Sequence, residues 1–166
     1  YAGDINKKAV ETYNRNLGND SVCEDVTKLD PKSIPDCDVV LGGFPCQDFS
    51  VAGKRLGLDS ERGNLYKAMV RIVEMKQPMI FVAENVTGLL TANEGTAMER
   101  IHLDFSKAGM GYDVVYKVLN AADFGVPQKR ERVIIIGVRK DIQYRCDFPD
   151  PTHMPEELSK EYNLEP

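Results

Sequence analysis

Three segments of this chain carry side chains whose types and order suit shared chemistry. Gly42-Gly43-Phe44-Pro45-Cys46-Gln47-Asp48-Phe49-Ser50 follows the buried-strand pattern Asp38-Val39-Val40-Leu41. Glu84-Asn85 follows the apolar run Met79–Ala83, and Gln128-Lys129-Arg130-Glu131-Arg132 leads into the apolar Val133–Val138. A thiol just past the carboxyl end of a strand sits where open α/β sheets place ligands. Pro45 fixes φ ahead of it, and Gly42-Gly43 let the backbone approach a ligand closely. Free cysteine is often only a small buried apolar residue. A cysteine between Pro and Gln in a Gly-rich polar loop reads instead as a nucleophile, since cysteine is partly thiolate at neutral pH.

Glu84 lies 38 positions after Cys46, one strand–loop–helix–strand unit later. A right-handed crossover tends to place such strands side by side, bringing thiol and carboxyl to one sheet edge. A carboxylate directly after five apolar residues is costly to desolvate, which favours a working group over a structural one. The competing reading is that it exits to solvent as the strand ends. Arg130 and Arg132 alternate and so point to one side of an extended segment, placed to clamp a phosphate or a base carbonyl. Basic flanks otherwise only solvate.

The elements that must position these groups can be read in order. Tyr1–Gly3 looks like the end of a strand. Asp4 and Asn6 can cap a helix carrying Ala9, Tyr13 and Leu17 at i, i+4, i+8. An acid at a strand end that opens a helix can accept from ribose hydroxyls, and Glu24-Asp25-Val26 could supply a second carboxylate beside it. Both have plainer readings, an N-cap and a solvated turn. Val51–Gly63 is a Gly-, Ser- and charge-rich loop without periodicity, a length that usually signals function or mobility. Leu65, Met69, Ile72 and Val73 mark a helix that stops at Pro78, and Met79–Ala83 reads as a strand covered by helices on both faces. Thr96-Ala-Met-Glu99 reads as a capping box, followed by an inner stripe of Met98, Ile101, Phe105 and Ala108. His102 is a boundary residue there. Gly109-Met-Gly111 is a turn, Tyr112–Leu119 a strand, and Asn120–Gln128 an irregular connection.

The chain has 166 residues, 42% of them apolar, which suits one globular domain. It begins on Tyr1, without a charged-then-apolar leader, and reads as a cytoplasmic fragment whose true amino terminus is missing. Its four cysteines show no CxxC spacing and it has two histidines, so neither a metal site nor a disulfide framework is expected. The net charge of −5 resides in the tail: Asp147–Pro166 holds six acids and one base, leaving 20 of each in residues 1–146. Overall charge therefore neither supports nor excludes a nucleic-acid partner.

Taken in order, the Pro45-Cys46-Gln47, Glu84-Asn85-Val86 and Gln128-Lys129-Arg130-Glu131-Arg132 segments resemble the motif set of DNA (cytosine-5-)methyltransferases, over Asp4 to about Lys140. The resemblance implies a doubly wound, Rossmann-like α/β sheet of the S-adenosylmethionine-dependent methyltransferase type, lacking its first strand. Residues 1–145 would be part of the catalytic domain, and 146–166 an acidic linker toward a target-recognition region. It implies Cys46 as nucleophile, Glu84 as its acid partner, and Arg130 and Arg132 as groups holding the target cytosine. Asp4, Ile5, Asp25, Val26, Pro45 and Leu65 would meet S-adenosylmethionine. Gln47, Ser50, Lys54, Arg55, Arg62, Asn85 and Gln128 would face the substrate, double-stranded DNA, with Ser50–Arg62 as a lid. No metal and no membrane are implied. The family's Phe-x-Gly-x-Gly loop and its recognition region are absent, so residues 1–166 are expected to be inactive alone. The setting would be a bacterial-type modification (restriction-modification) enzyme.

Other readings stand beside this one. An RNA cytosine-5 methyltransferase uses the same thiolate chemistry. A non-catalytic binding module would not need Cys46 and Glu84 intact. A Cys-His hydrolase needs a histidine base, for which His102 and His153 are poorly placed.

Overall fold

The computed structural model describes residues 1–18, 20–45 and 65–153. The chain runs β1 (Ala2–Asp4), α1 (Lys7–Leu17), β2 (Ser21–Cys23), β3 (Val39–Gly43), α2 (Leu65–Lys76), β4 (Ile80–Asn85), α3 (Thr96–Lys107), β5 (Tyr112–Asn120) and β6 (Glu131–Arg139). Short 3-10 turns fill several connections. β1 and β2 form a parallel pair, and the larger sheet has the order β3-β4-β6-β5. β3 and β4 are parallel, while β6 runs antiparallel to both β4 and β5. The sheet is therefore mixed: parallel where β3 and β4 carry their loops to one edge, antiparallel beyond.

Strand alternation decides what the larger sheet buries. Phe81 and Ala83 of β4, with Val133 and Ile135 of β6, are fully buried and share a core with Met69 and Val73 of α2 and Ile101 and Phe105 of α3. Phe81 stacks on Phe105 at 4.3 Å between ring centroids. Ile80, Val82, Ile134 and Ile136, on the opposite face, are only half-buried. Among the described residues, helices thus cover one face of β4 rather than the two its unbroken apolar run suggests. The expected burial of β3 is corrected: it is an outer strand of the larger sheet, and Val39 and Leu41 are exposed, Leu41 at 75%.

Two helix expectations are corrected. Asn6 caps α1 as expected, accepting from Lys8 N and Ala9 N. The buried residue of α1, however, is Val10, and Ala9, Tyr13 and Leu17 are exposed, Leu17 at 73%. The helix meets the β1–β2 pair through Val10 and through Asn14, whose carboxamide bonds Ser21 of β2 on both its oxygen and nitrogen sides. Thr96 is no capping-box residue either. Asn93, Glu94 and Gly95 all adopt positive φ, so the chain enters α3 through a left-handed turn. Gly95 takes the cap position, and the Thr96 hydroxyl donates back to Asn93 O at 2.7 Å. The stripe of Met98, Ile101, Phe105 and Ala108 is buried as expected.

Candidate active site

At the carboxyl ends of β3 and β4 lies an open cleft of about 300 Å³ lined by Gly43, Phe44, Pro45, Glu84, Asn85, Val86, Arg130 and Arg132. Its construction follows from register. Gly43 pairs with Glu84 across the parallel β3–β4 ladder. Asn85 pairs with Val133 of the antiparallel β6, so Arg132 stands one residue beyond the end of β4. Arg132 Nε comes to 2.8 Å from Glu84 Oε1, with side-chain exposures of 24% and 43%. Among the described residues, the buried Nε–H is not aligned on that oxygen or on any other acceptor, so the contact is a charge pair without a directed hydrogen bond. Nη1 of Arg132 donates to Glu131 O at 2.7 Å. The carboxyl of Glu84 is thus half in water and met by a cation, not enclosed in the apolar setting its preceding residues suggest.

Asn85 departs further from expectation. Its side chain is bonded to the backbone of the strand ends, and the residue is 2% exposed. Nδ2 donates to Phe44 O at 2.9 Å, and Oδ1 accepts from Val86 N at 2.8 Å. Asn85 fastens the end of β3 to the end of β4, two residues before Cys46. Gly42 is also reassigned. A Cβ there would stand 2.7 Å from Met69 Sδ, so the missing side chain makes room for α2 rather than for a ligand. Gln128 is exposed in the loop before β6 and is not among the residues lining the cleft. Cys46, Gln47, Ser50, Lys54, Arg55 and Arg62 lie outside the described residues.

The expected cofactor residues gather in part. Parallel pairing puts Asp4 opposite Cys23, and Glu24 N donates to Asp4 O at 3.1 Å, so Asp4-Ile5 and Asp25-Val26 leave the same edge. Asp4 Oδ1 accepts from Asn6 N at 2.7 Å, and Ile5 is 71% exposed. Asp25 Oδ1 accepts from the Thr27 hydroxyl at 2.7 Å and from Thr27 N at 3.0 Å. These bonds, with Lys28 nearby, hold its carboxyl below the usual range. Val26 packs against Leu29, Ile34 and Ile72, and Leu65 against the main core. An exposed Asp4, a half-buried Asp25 and an exposed apolar Ile5 thus stand at one edge.

Two groups had no place in the sequence reading. Asn120 organises the connection that delivers Arg130, and Tyr66, Asp104 and Arg100 tie α2 to α3. Tyr66 OH donates to Asp104 Oδ2 at 3.0 Å, and Arg100 Nε lies 3.0 Å from Asp104 Oδ1. The i, i+4 spacing of Arg100 and Asp104 is a legible signal; the partner 38 residues away is not.

A family model for C-5 cytosine-specific DNA methylase matches residues 1–165. The chain belongs to that family. Among curated relatives, it is 50% identical over 155 residues to the Type II methyltransferase M.NgoFVII of Neisseria gonorrhoeae, covering 92% of this chain and 41% of that protein. It is 46% identical over 153 residues to M.BsuRI of Bacillus subtilis, covering 92% of this chain and 34% of that one. Across the similar curated relatives the chain spans between 34% and 52% of their length. A prophage-encoded E. coli protein described as a DNA modification methyltransferase superposes with a TM-score of 0.71 at 30% identity, covering 93% of this chain and 43% of that one. The S. pombe Dnmt2 methyltransferase shares the fold at a TM-score of 0.66 and 22% identity, covering 89% of this chain and 44% of that one. The mixed α/β architecture is thus a portion of the methyltransferase fold. No helix among the described residues is long and apolar enough to cross a membrane.

Proposed function

We propose that the full-length protein transfers a methyl group from S-adenosylmethionine to carbon 5 of cytosine in duplex DNA, as a cytoplasmic modification enzyme of the bacterial type. The observation that carries this reading is the cleft in which Pro45, the residue before Cys46, is brought together with Glu84, Arg130 and Arg132. Carbon 5 of cytosine is a weak nucleophile. Addition of the Cys46 thiolate to carbon 6 forms a sulfur–carbon bond and passes an electron pair to carbon 5. Bound S-adenosylmethionine supplies the methyl group. The carbon 5 proton then leaves to solvent, the sulfur–carbon bond breaks, and the thiolate is regenerated. Glu84 faces ring nitrogen 3 and holds a proton there while charge builds. Arg132, with Arg130 beside it, donates to the ring carbonyl. The base must leave the duplex to meet these groups, at a cost of a few kcal/mol.

In this reading Asp4 and Asp25 accept from ribose and adenine, Ile5 lies against the adenine ring, and Pro45 stands at the methyl end. Gln47, Ser50, Lys54, Arg55, Arg62 and Gln128 meet the DNA. Residues 1–145 form part of the catalytic domain, and 146–166 lead toward the DNA-reading region, so residues 1–166 alone do not complete the reaction.

The test is tritiated-methyl transfer by the full-length protein to duplex DNA, with transfer RNA as the comparison substrate. Methylation of cytosine in duplex DNA, its loss in Cys46→Ser, and covalent trapping of Cys46 by a 5-fluorocytosine duplex are expected. A loss of roughly 10²-fold or more is expected in Glu84→Gln. Trapping at another cysteine, or methylation of RNA alone, overturns the reading.

A further inference from the structure

Resting on that reading, we infer that Asn120 is a positioning residue that sets Arg130 in the cleft by clamping both ends of the connection between β5 and β6. Its Oδ1 accepts the backbone N–H of Arg130 at 3.0 Å and, more loosely, that of Ala122 at 3.4 Å. Its Nδ2 donates to Asp123 Oδ1 at 3.0 Å. The carbonyl of Arg130 accepts from Ala121 N at 2.9 Å, and Asn120 pairs with Glu131 in the β5–β6 ladder. Arg130 is therefore held on both its donor and its acceptor side. Its φ and ψ fix where its side chain leaves the backbone, and that side chain lines the cleft.

The opposite side of the connection is held as well. Thr152 N and His153 N both donate to Asp123 O, at 2.9 and 3.0 Å. The imidazole of His153 lies over Gly125, which has φ of +84°, and a Cβ there would stand 2.9 Å from His153 Cε1. Asp123 thus links the chain that follows β6 to the Asn120 carboxamide, and through it to Arg130. A carboxamide can accept from two backbone amides at its oxygen while donating to a carboxylate from its nitrogen. Asp keeps the acceptor but places a second negative charge about 3 Å from Asp123, and Ala keeps neither function.

The clamp is tested in the full-length protein with Asn120→Ala, Asn120→Asp and the exchanged pair Asn120→Asp with Asp123→Asn. In the exchanged pair, the new amide at 123 donates to the new carboxylate at 120, restoring that bond with its polarity reversed, while the carboxylate still accepts from Arg130 N and Ala122 N. Expected in Asn120→Ala and Asn120→Asp are a fall in kcat on the order of 10²-fold, from misplacement of a charge-stabilising group, with KM for S-adenosylmethionine unchanged, and faster amide hydrogen exchange at Arg130. The exchanged pair is expected to recover most of the lost kcat and the slow exchange. Wild-type kcat in Asn120→Ala overturns the inference. So does an exchanged pair that regains slow exchange at Arg130 without regaining kcat. If the two single variants fail to fold, the exchanged pair decides alone. A parent protein that methylates no cytosine refutes the proposed function instead, and amide exchange at Arg130 still tests the clamp.

Discussion

Replacing Asn85 by Ala removes the side chain that joins the two strand ends under the cleft. The cost can be worked from its two bonds. The one to Phe44 O is buried, so its loss strands a carbonyl away from water, at about 1–3 kcal/mol. The one from Val86 N is only partly buried, and water can replace it, so its loss costs about 0.5–1.5 kcal/mol. Together these give about 1.5–4.5 kcal/mol, a drop in melting temperature of roughly 3–18 °C for a domain of this size. The assay is thermal unfolding of the full-length protein followed by circular dichroism. Asn85→Asp is the sharper variant. It retains the acceptor for Val86 N but sets a carboxylate against the Phe44 carbonyl, which favours the protonated form and raises the folded pKa above the ordinary value. A group raised in this way stabilises below its unfolded pKa of about 3.9 and loses that contribution as pH climbs through the folded value. Asn85→Asp should therefore fall further behind the parent at pH 8 than at pH 5. An Asn85→Ala protein that melts with the parent, or a pH-independent deficit in Asn85→Asp, would refute the reasoning.

Two further outcomes are expected. Gly137→Ala places a Cβ 2.0 Å from Phe81 Cε1, and Phe81 is pinned between Phe105 and Tyr112, so urea unfolding should show a loss of about 3 kcal/mol or more, or no soluble protein. Burial and the hydrogen bond to Asp104 push the Tyr66 phenol up to about 12, and burial pushes Tyr112 likewise. Each contributes stability that is complete below pH 10 and lost as pH rises toward 12, so Tyr66→Phe should make the decline in urea midpoint over that interval shallower. An unchanged slope would show that Tyr66 ionises as freely when folded as when unfolded.

Much of the site was legible because strand alternation and chain order suffice for it. A strand of period 2 with Glu84 next to its last residue, and an Arg132 second in the neighbouring strand, are enough to bring acid and base together. The same alternation held the correction for Asn85. It shares a face with Phe81 and Ala83, both fully buried, and so had to turn inward when Glu84 turned out. What could not be read were contacts set by tertiary packing. Nothing local in Lys7–Leu17 says that Val10, rather than Tyr13 and Leu17, meets the β1–β2 pair. Nor does a Thr-x-x-Glu pattern reveal that three consecutive residues before Thr96 are left-handed. Asn120 falls between these cases: Asn followed by Ala-Ala-Asp is a fair cap signal, but its bond to Arg130 spans ten residues.

Under the proposed reading, the Glu84–Arg132 pair suits a planar polar base better than it suits the resting protein. With 43% and 24% of their side chains exposed, the two charges gain little from each other, and such a pair adds at most about 1 kcal/mol. Against that stands the buried Arg132 Nε–H, close to Glu84 but not aligned on it, a donor without a proper acceptor among the described residues, at a cost of about 1–3 kcal/mol. On stability alone an apolar pair would serve as well. The arrangement becomes favourable once a ligand brings an acceptor to the arginine and a protonatable ring nitrogen to the carboxylate, as the carbonyl and nitrogen 3 of cytosine do under the proposed reading. Entry of the base would expel the water that now screens the pair, strengthening both contacts as charge develops on the ring. Arg130, held at its backbone by Asn120, would meet the same ring edge without having to be ordered at that moment.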